Sequence, residues 1–314
     1  MLALALAGRS RPSLERSAHG PYELLISSPP SPRRILLVIT GNPGLPGFYS
    51  AFADSLSAEL QAEVAVLGLA GHVSWSTIKQ SKLIPSTPRG LSSSASATPH
   101  APFSDLAAYR RVHGLESQVS HLREAAEPFV RRSRTEGLPL VLVGHSIGAW
   151  MLSRLVKDIR PAPLSLFLMP FLENNMRNPA FKTKHDALIR LPWLIPAIAR
   201  VAPLLRLAPR PLRRRLLSSQ VQGMDEEFVH LVERGMLHRG AVHNYLYLAR
   251  TEMLTLATPF DSSLLRPLVE KVKVRALYLD HGDEWAPPEV AKRLEASGIP
   301  TTIISGDSVR HSFS

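Results

Sequence analysis

Gly144-His145-Ser146-Ile147-Gly148 follows the apolar run Leu140-Val141-Leu142-Val143 and precedes Ala149-Trp150-Met151-Leu152, with Leu155 and Val156 continuing at helical spacing. The order is strand, sharp turn, helix. Two glycines in such a turn have a steric role, because the strand end and the entering helix approach too closely for side chains. The serine is held out at the apex, where N–H groups of the helix N-terminus face its oxygen. A strand before and a helix after favour a nucleophile over an ordinary connection.

Working outward, Ile35-Leu36-Leu37-Val38-Ile39 is a continuous apolar run of the kind buried on both faces of a parallel sheet. It ends in Gly41-Asn42-Pro43-Gly44-Leu45-Pro46-Gly47, followed by a helix from about Ala51 to Leu60. A glycine-rich loop between an earlier strand and helix is where an acyl-transfer site takes its second oxyanion donor, so the backbone N–H groups of Asn42 and Ile147 are the candidates. Tyr22 to Ile26 reads as an edge strand, and Glu63 to Gly68 as another strand. The Ser/Pro/Thr-rich stretch from Lys79 to Pro102 reads as a loop near the site mouth. Leu115, Val119, Leu122, Ala125 and Phe129 mark the helix that feeds the nucleophile strand. Strands return at Leu164–Leu168, Val272–Leu279 and Thr301–Ile304, with a helix over Glu289–Ala296.

This alternation predicts an α/β fold, a mostly parallel doubly wound sheet with a helical lid inserted. The expected organisation is a flexible N-terminus over 1–20, a first core part over 21–170, a lid or lipid-surface insertion over 171–261, and a second core part over 262–314. Met1 to Ala7 is too short to span a bilayer and has no basic residues before it, so no secretory signal is expected. The insertion interleaves leucine, tryptophan and proline with Arg200, Arg206, Arg213, Arg214 and Arg215. Its prolines and arginines argue against one unbroken membrane span. An apolar lid over the site and a surface anchor with Trp193 and Leu194 in lipid and the arginines on headgroups are both consistent with it.

The chain of 314 residues carries a formal charge of +11, which favours anionic partners, and no cysteine, which excludes disulfides and thiolate catalysis. Nucleic acid is not expected, because the arginines sit among leucines and prolines without a stacking motif. Neither a phosphate-binding loop nor metal-ligand spacing is present, so no cofactor and no metal are expected.

A serine hydroxyl needs an imidazole to take its proton and a carboxylate to hold that imidazole, here in the chain order Ser, acid, His. His311 is the one histidine after the last strand. Asp283, in the loop beyond the strand end, is preferred as the acid over Asp280 at the strand end, and Asp307 ranks last. His145 is expected to orient or pack beside the serine, and His72, His113, His121, His185, His230, His238 and His243 to be surface or lid residues.

Gly41-Asn42-Pro43-Gly44 with Phe48-Tyr49, Gly144 to Ala149, Asp283-Glu284-Trp285-Ala286-Pro287 and His311-Ser312-Phe313 together resemble the lipid droplet-associated hydrolase family of α/β-hydrolases, over nearly the whole chain from Ile35 to Phe313. Ser312 departs from the alanine of that pattern. The resemblance implies Ser146, Asp283 and His311 as nucleophile, acid and base, with a lipid ester as substrate. It also implies weak sterol esterase activity and residence on lipid droplets and the cytosolic face of the endoplasmic reticulum. The alternative is a droplet-surface tether or scaffold that keeps the fold with little or no turnover.

Overall fold

The structure, a computed structural model, describes residues 13–19, 22–74, 111–159, 163–176, 178–217, 226–261, 263, 269, 274–279, 283 and 285–304. The expected loop over 79–102, Asp280, Asp307 and His311 lie outside them. The strands are β1 (Ser13–His19), β2 (Tyr22–Ser28), β3 (Arg34–Ile39), β4 (Ala62–Leu67), β5 (Leu140–His145), β6 (Leu164–Leu168), β7 (Val274–Leu279) and β8 (Thr301–Ile304). The helices are α1 (Ser50–Leu60), α2 (Leu115–Glu136), α3 (Ile147–Leu155), α4 (Pro179–Arg190), α5 (Leu194–Val201), α6 (Arg210–Leu216), α7 (Glu226–His230), α8 (Arg239–Thr255) and α9 (Pro288–Ala296).

The strands form one sheet in the order β1-β2-β4-β3-β5-β6-β7-β8. β3 to β8 run parallel to one another, while β1 and β2 are antiparallel additions at one side. The apolar runs sit where their composition predicts: Ile35, Leu37, Val38, Val64 and Val66 are wholly buried. Such continuously apolar strands are stable only with both faces covered. α1 packs against β2 and β4, α2 against β3 and β4, and α9 against β7 and β8. Arg132 of α2 makes a bidentate ion pair with Glu63 of β4, with both N–O distances at 2.8 Å.

Two expectations need correction. Residues 13–19 belong to the sheet, so the expected flexible N-terminus over 1–20 is overturned for that stretch. β2 is accordingly an inner strand between β1 and β4, and the sheet's edges are β1 and β8. The sequence of β1, Ser-Leu-Glu-Arg-Ser-Ala-His, has no sustained apolar alternation; its strand is made by pairing with β2 from Ser13↔Ser28 to His19↔Tyr22.

Between β6 and β7 the described residues hold helices only, with a π-helical segment at Leu231–Met236. α8 packs against α2, α4 and α5 and is the insertion's main contact with the sheet domain. Because the parallel strands share one direction, β3, β5, β7 and β8 all end at the same edge of the sheet. The loops carrying Asn42, Ser146 and Asp283 therefore start there.

Phe167 of β6 is fully buried between Gly144 of β5 and Ala276 of β7. Phe167→Ala should lower unfolding stability by about 3–5 kcal/mol, read from urea denaturation.

Candidate active site

Ser146 closes β5 and precedes the first residue of α3, with φ 54° and ψ −124°. A positive φ on a non-glycine residue is strained by on the order of 1–3 kcal/mol and needs its surroundings to hold it. Three backbone bonds do so: Ser146 N–H donates to Leu168 O at 3.0 Å, and Ser146 O accepts from Ala149 N–H at 3.0 Å and Phe171 N–H at 3.1 Å. The glycines are obligatory for close approach. A Cβ on Gly148 would lie 2.5 Å from Ile39 O, and one on Gly144 2.6 Å from Ala149 Cα. Ser146 is buried at the floor of the sheet edge, 9% exposed.

Gly41 lies directly over this turn, where a Cβ would come 2.9 Å from that of Ser146 and 3.1 Å from His145 Nδ1. Gly41 N–H donates to the Tyr49 hydroxyl at 2.8 Å, and that oxygen is 2.7 Å from His145 Nδ1. Burial raises the Tyr49 pKa, so the phenol keeps its proton. The phenol thus bridges the Gly41 N–H and the His145 ring. His145 thus packs beside the Ser146 turn, as expected. Tyr49, which the sequence offers only as part of the family resemblance, ties the Gly41–Gly44 loop to the elbow.

His72 corrects another expectation. It is buried, not a surface residue, and its Nδ1–H donates to Pro43 O at 2.5 Å. Burial lowers its pKa to about 4, so it is neutral and supports the Asn42-Pro43 loop by a hydrogen bond alone. His238 is also buried, its Nε2 2.6 Å from Val73 O while Nδ1 accepts from Ala241 N–H at the start of α8. His185 is buried as well. Asn42 Nδ2 donates to Tyr245 O of α8 at 3.2 Å.

Asp283, the acid expected from the sequence, accepts through Oδ1 from the N–H groups of Trp285 (2.9 Å) and Ala286 (3.2 Å), a turn that sets the direction of the carboxylate. The Trp285 ring packs edge-on against Phe171, Phe181 and His185 at 5.0–5.2 Å. Phe171 is the residue whose N–H bonds Ser146 O, so the Ser146 turn and the Asp283 loop share a support. Among the described residues no group of three His, Asp or Glu could hold a metal ion.

Of the expected lipid-surface residues, Trp193 (64% exposed), Arg200 and Arg215 face outward, and Leu194 and Arg206 are half-buried. Arg213 and Arg214 are turned inward: Nε of Arg213 is 3.4 Å from the buried carboxylate of Glu233, and Nε of Arg214 is 3.7 Å from it. Arg214 also pairs with Glu226.

Tyr49→Phe deletes both bonds of the phenol and leaves Gly41 N–H buried. It should lower stability by about 1–3 kcal/mol in thermal or urea unfolding, with the overall fold kept.

The model of the lipid-droplet associated hydrolase family matches residues 32–314. Curated relatives include the lipid droplet-associated hydrolase of Gallus gallus, 26% identical over 263 residues that cover 82% of this chain and 72% of that protein. The protein of that name from Homo sapiens is 24% identical with the same coverage. Among solved structures, a soluble variant of monoglyceride lipase from Saccharomyces cerevisiae aligns with a TM-score of 0.54 at 12% identity, covering 97% of this chain and 89% of that one. A haloalkane dehalogenase from Agrobacterium tumefaciens aligns at 0.59 and 12%, covering 96% and 91%. At such identities these structures bear on the fold, which is that of the α/β-hydrolases, and with a family model spanning nearly its whole length the chain belongs to the lipid-droplet associated hydrolase family.

Proposed function

We propose that the chain is a serine hydrolase of lipid carboxylic esters, sterol esters among them. It would act at the droplet or endoplasmic reticulum surface from the cytosolic side, with Ser146, Asp283 and His311 as its triad. The observation that carries this reading is the backbone of Ser146: a strained serine over a helix N-terminus, held by three hydrogen bonds and two glycines that no other residue could replace.

Ser146 Oγ attacks the ester carbonyl carbon as His311 takes its proton. Asp283 holds the imidazole by its other N–H and stabilises the imidazolium. The carbonyl oxygen, now an oxyanion, meets the N–H groups of Ile147 and Asn42. The C–O bond to the alcohol breaks, the alcohol leaves with the proton from His311, and an acyl-serine remains. Water, deprotonated by the same imidazole, attacks the acyl carbon and releases the acid and a free serine.

The surface docking rests on the insertion. α5 turns Ile195, Ala199 and Ala202 of its stretch inward, the last two against Val242 of α8, while Trp193, Val201, Leu204 (60% exposed) and Leu207 (83% exposed) stand in water. A helix apolar on both sides with only one covered has an unpartnered face. No single described helix is long and apolar enough to cross a membrane, and α4 with the Leu194–Leu207 segment bends by 97°. Lying in the interface plane suits that shape. The same face would serve a tether, so the tether reading differs in turnover alone.

Ser146→Ala and His311→Ala should each lower hydrolysis of an emulsified lipid ester by at least about 10³-fold. Ser146→Ala should also abolish fluorophosphonate labelling without moving the thermal midpoint, and labelling that survives removes Ser146 from the mechanism. A wild type that labels but turns over no ester favours the tether.

Burying one large apolar side chain in lipid is worth about 1.5–3 kcal/mol when complete. The triple variant Trp193→Ser, Leu204→Ser, Leu207→Ser should therefore co-float at least about tenfold less with phospholipid-coated triolein droplets. Unchanged flotation by a variant of unchanged thermal midpoint would exclude this face.

A further inference from the structure

Glu252 of α8 is 2% exposed, yet among the described residues no arginine, lysine or histidine acts on its charge. Its carboxyl lies against the side-chain amide of Asn42. The same amide donates to Tyr245 O one helix turn and more away on α8. Two oxygens of this contact, Glu252 Oε1 and Asn42 Oδ1, are buried without a hydrogen-bond partner among the described residues. A buried carboxylate with neither a cation nor a full set of donors is costly; a carboxylic acid, which carries a proton and can donate as well as accept, is not.

We propose that Glu252 is a positioning residue for the oxyanion loop, its carboxylic acid clasping Asn42 from the insertion helix so that the Asn42 backbone N–H faces the reacting carbonyl oxygen. This rests on the serine-hydrolase reading above. The clasp acts on a loop already fixed at other points, by His72 on Pro43 O and by Tyr49 on Gly41 N–H. Asn42 is left with α8 as the partner of its side chain, through Tyr245 O and Glu252. An insertion helix that also carries the lipid-facing α5 thereby reaches the catalytic loop directly.

The protonation state follows the same logic. Burial pushes the Glu252 pKa up to about 8, the contact with Asn42 opposing it. The titratable group coupled to it is the buried phenol of Tyr245, itself raised by burial and by the Glu252 charge. Around neutrality the clasp is a neutral acid. Above about pH 8 it ionises, and the charge it then carries is buried against the Asn42 amide. In the linkage the folded pKa lies above the ordinary 4.5, so the burial cost is absent below pH 4.5. It grows as the unfolded chain alone ionises, and is fully felt once pH passes about 8.

The test uses the full chain in three forms: wild type, Glu252→Ala and Glu252→Gln. Fluorophosphonate labelling rates and kcat and KM for an emulsified ester are measured from pH 6 to 9.5, and thermal midpoints from pH 4 to 9. Glu252→Ala should lower kcat and labelling on the order of tenfold with KM little changed, since a displaced oxyanion donor acts on the transition state. Glu252→Gln, a neutral group that still donates and accepts, should restore most of that loss and remove the change in rate expected of wild type as Glu252 ionises near pH 8. Its thermal midpoint should exceed that of wild type at pH 8 and match it at pH 4. Should Glu252→Ala fail to fold, the Glu252→Gln profiles carry the test. The proposal is overturned if Glu252→Ala reacts as fast as wild type, if wild type and Glu252→Gln share one alkaline limb, or if their midpoints run parallel with pH. A wild type that is not labelled at all overturns the serine-hydrolase reading itself and this role with it; a labelled wild type with indifferent Glu252 variants overturns this role alone.

Discussion

The left-handed backbone of Ser146 is the constraint to which the neighbouring elements are fitted. It costs on the order of 1–3 kcal/mol that nothing local repays, because an ordinary turn residue in its place would relax. The cost is offset by bonds from outside the turn: one to the end of β6 and one from Phe171 beyond it. Those bonds in turn require that β5, β6 and the loop after β6 keep their register, with Gly144 beside Phe167 and His145 beside Leu168. The glycines are the other half of the same requirement. Gly148 lets α3 start against the end of β3, so the elbow and the oxyanion loop, which also leaves β3, are brought together by one close backbone approach.

From that approach the rest of the site is reached through short contacts. On one side Gly41, Tyr49 and His145 make a buried relay of hydrogen bonds between the Gly41–Gly44 loop and the elbow. On the other, Ser146 O, Phe171, the Trp285 ring and Asp283 Oδ1 form a sequence of contacts from the proposed nucleophile to the proposed acid. The insertion is tied to both. Phe181 and His185 of α4 pack on Trp285, and α8 holds the loop after β4 through Asn244 and His238. Asn244 is wholly buried and faces Gly71, where a Cβ would lie 2.4 Å from its Cγ. An insertion fixed so closely to the mouth loops is part of the site's framework, whatever else its outer face does.

Legibility in the sequence follows from how local each feature is. The elbow could be read because strand, glycines, serine and helix lie within one short stretch and each is required by the same steric demand. The buried strands could be read because both-face burial leaves a continuous apolar run, as in Ile35 to Ile39. β1 could not, since its residues alternate poorly and the strand exists through pairing with β2. His72 read as a surface residue because nothing near it in sequence announces Pro43 O as its partner. Asn244 and Glu252 are invisible for the same reason: Asn42 and Tyr245, or His113 and Asn244, are distant in sequence and meet only in the fold. The loop position of Asp283 is legible in the sequence, whereas the turn that orients its carboxylate through the Trp285 and Ala286 N–H groups is not.

The charge of the insertion shows why composition alone overstates what a surface presents. Arg210, Arg213 and Arg214 gather on Glu233, which is 3% exposed, so this part of the arginine run serves to bury a carboxylate and lock α6 onto the π-helical segment. A buried carboxylate of this kind needs more than one cation to offset its desolvation, and three partly exposed guanidinium groups supply that at little cost to themselves. What is left facing outward is then mainly apolar: Trp193, Val201, Leu204 and Leu207, with Arg200 and Arg215 beside them. That balance favours a surface whose interior is hydrocarbon over one that is only anionic, since a binding site for charge alone would leave the leucines in water at a continuing cost.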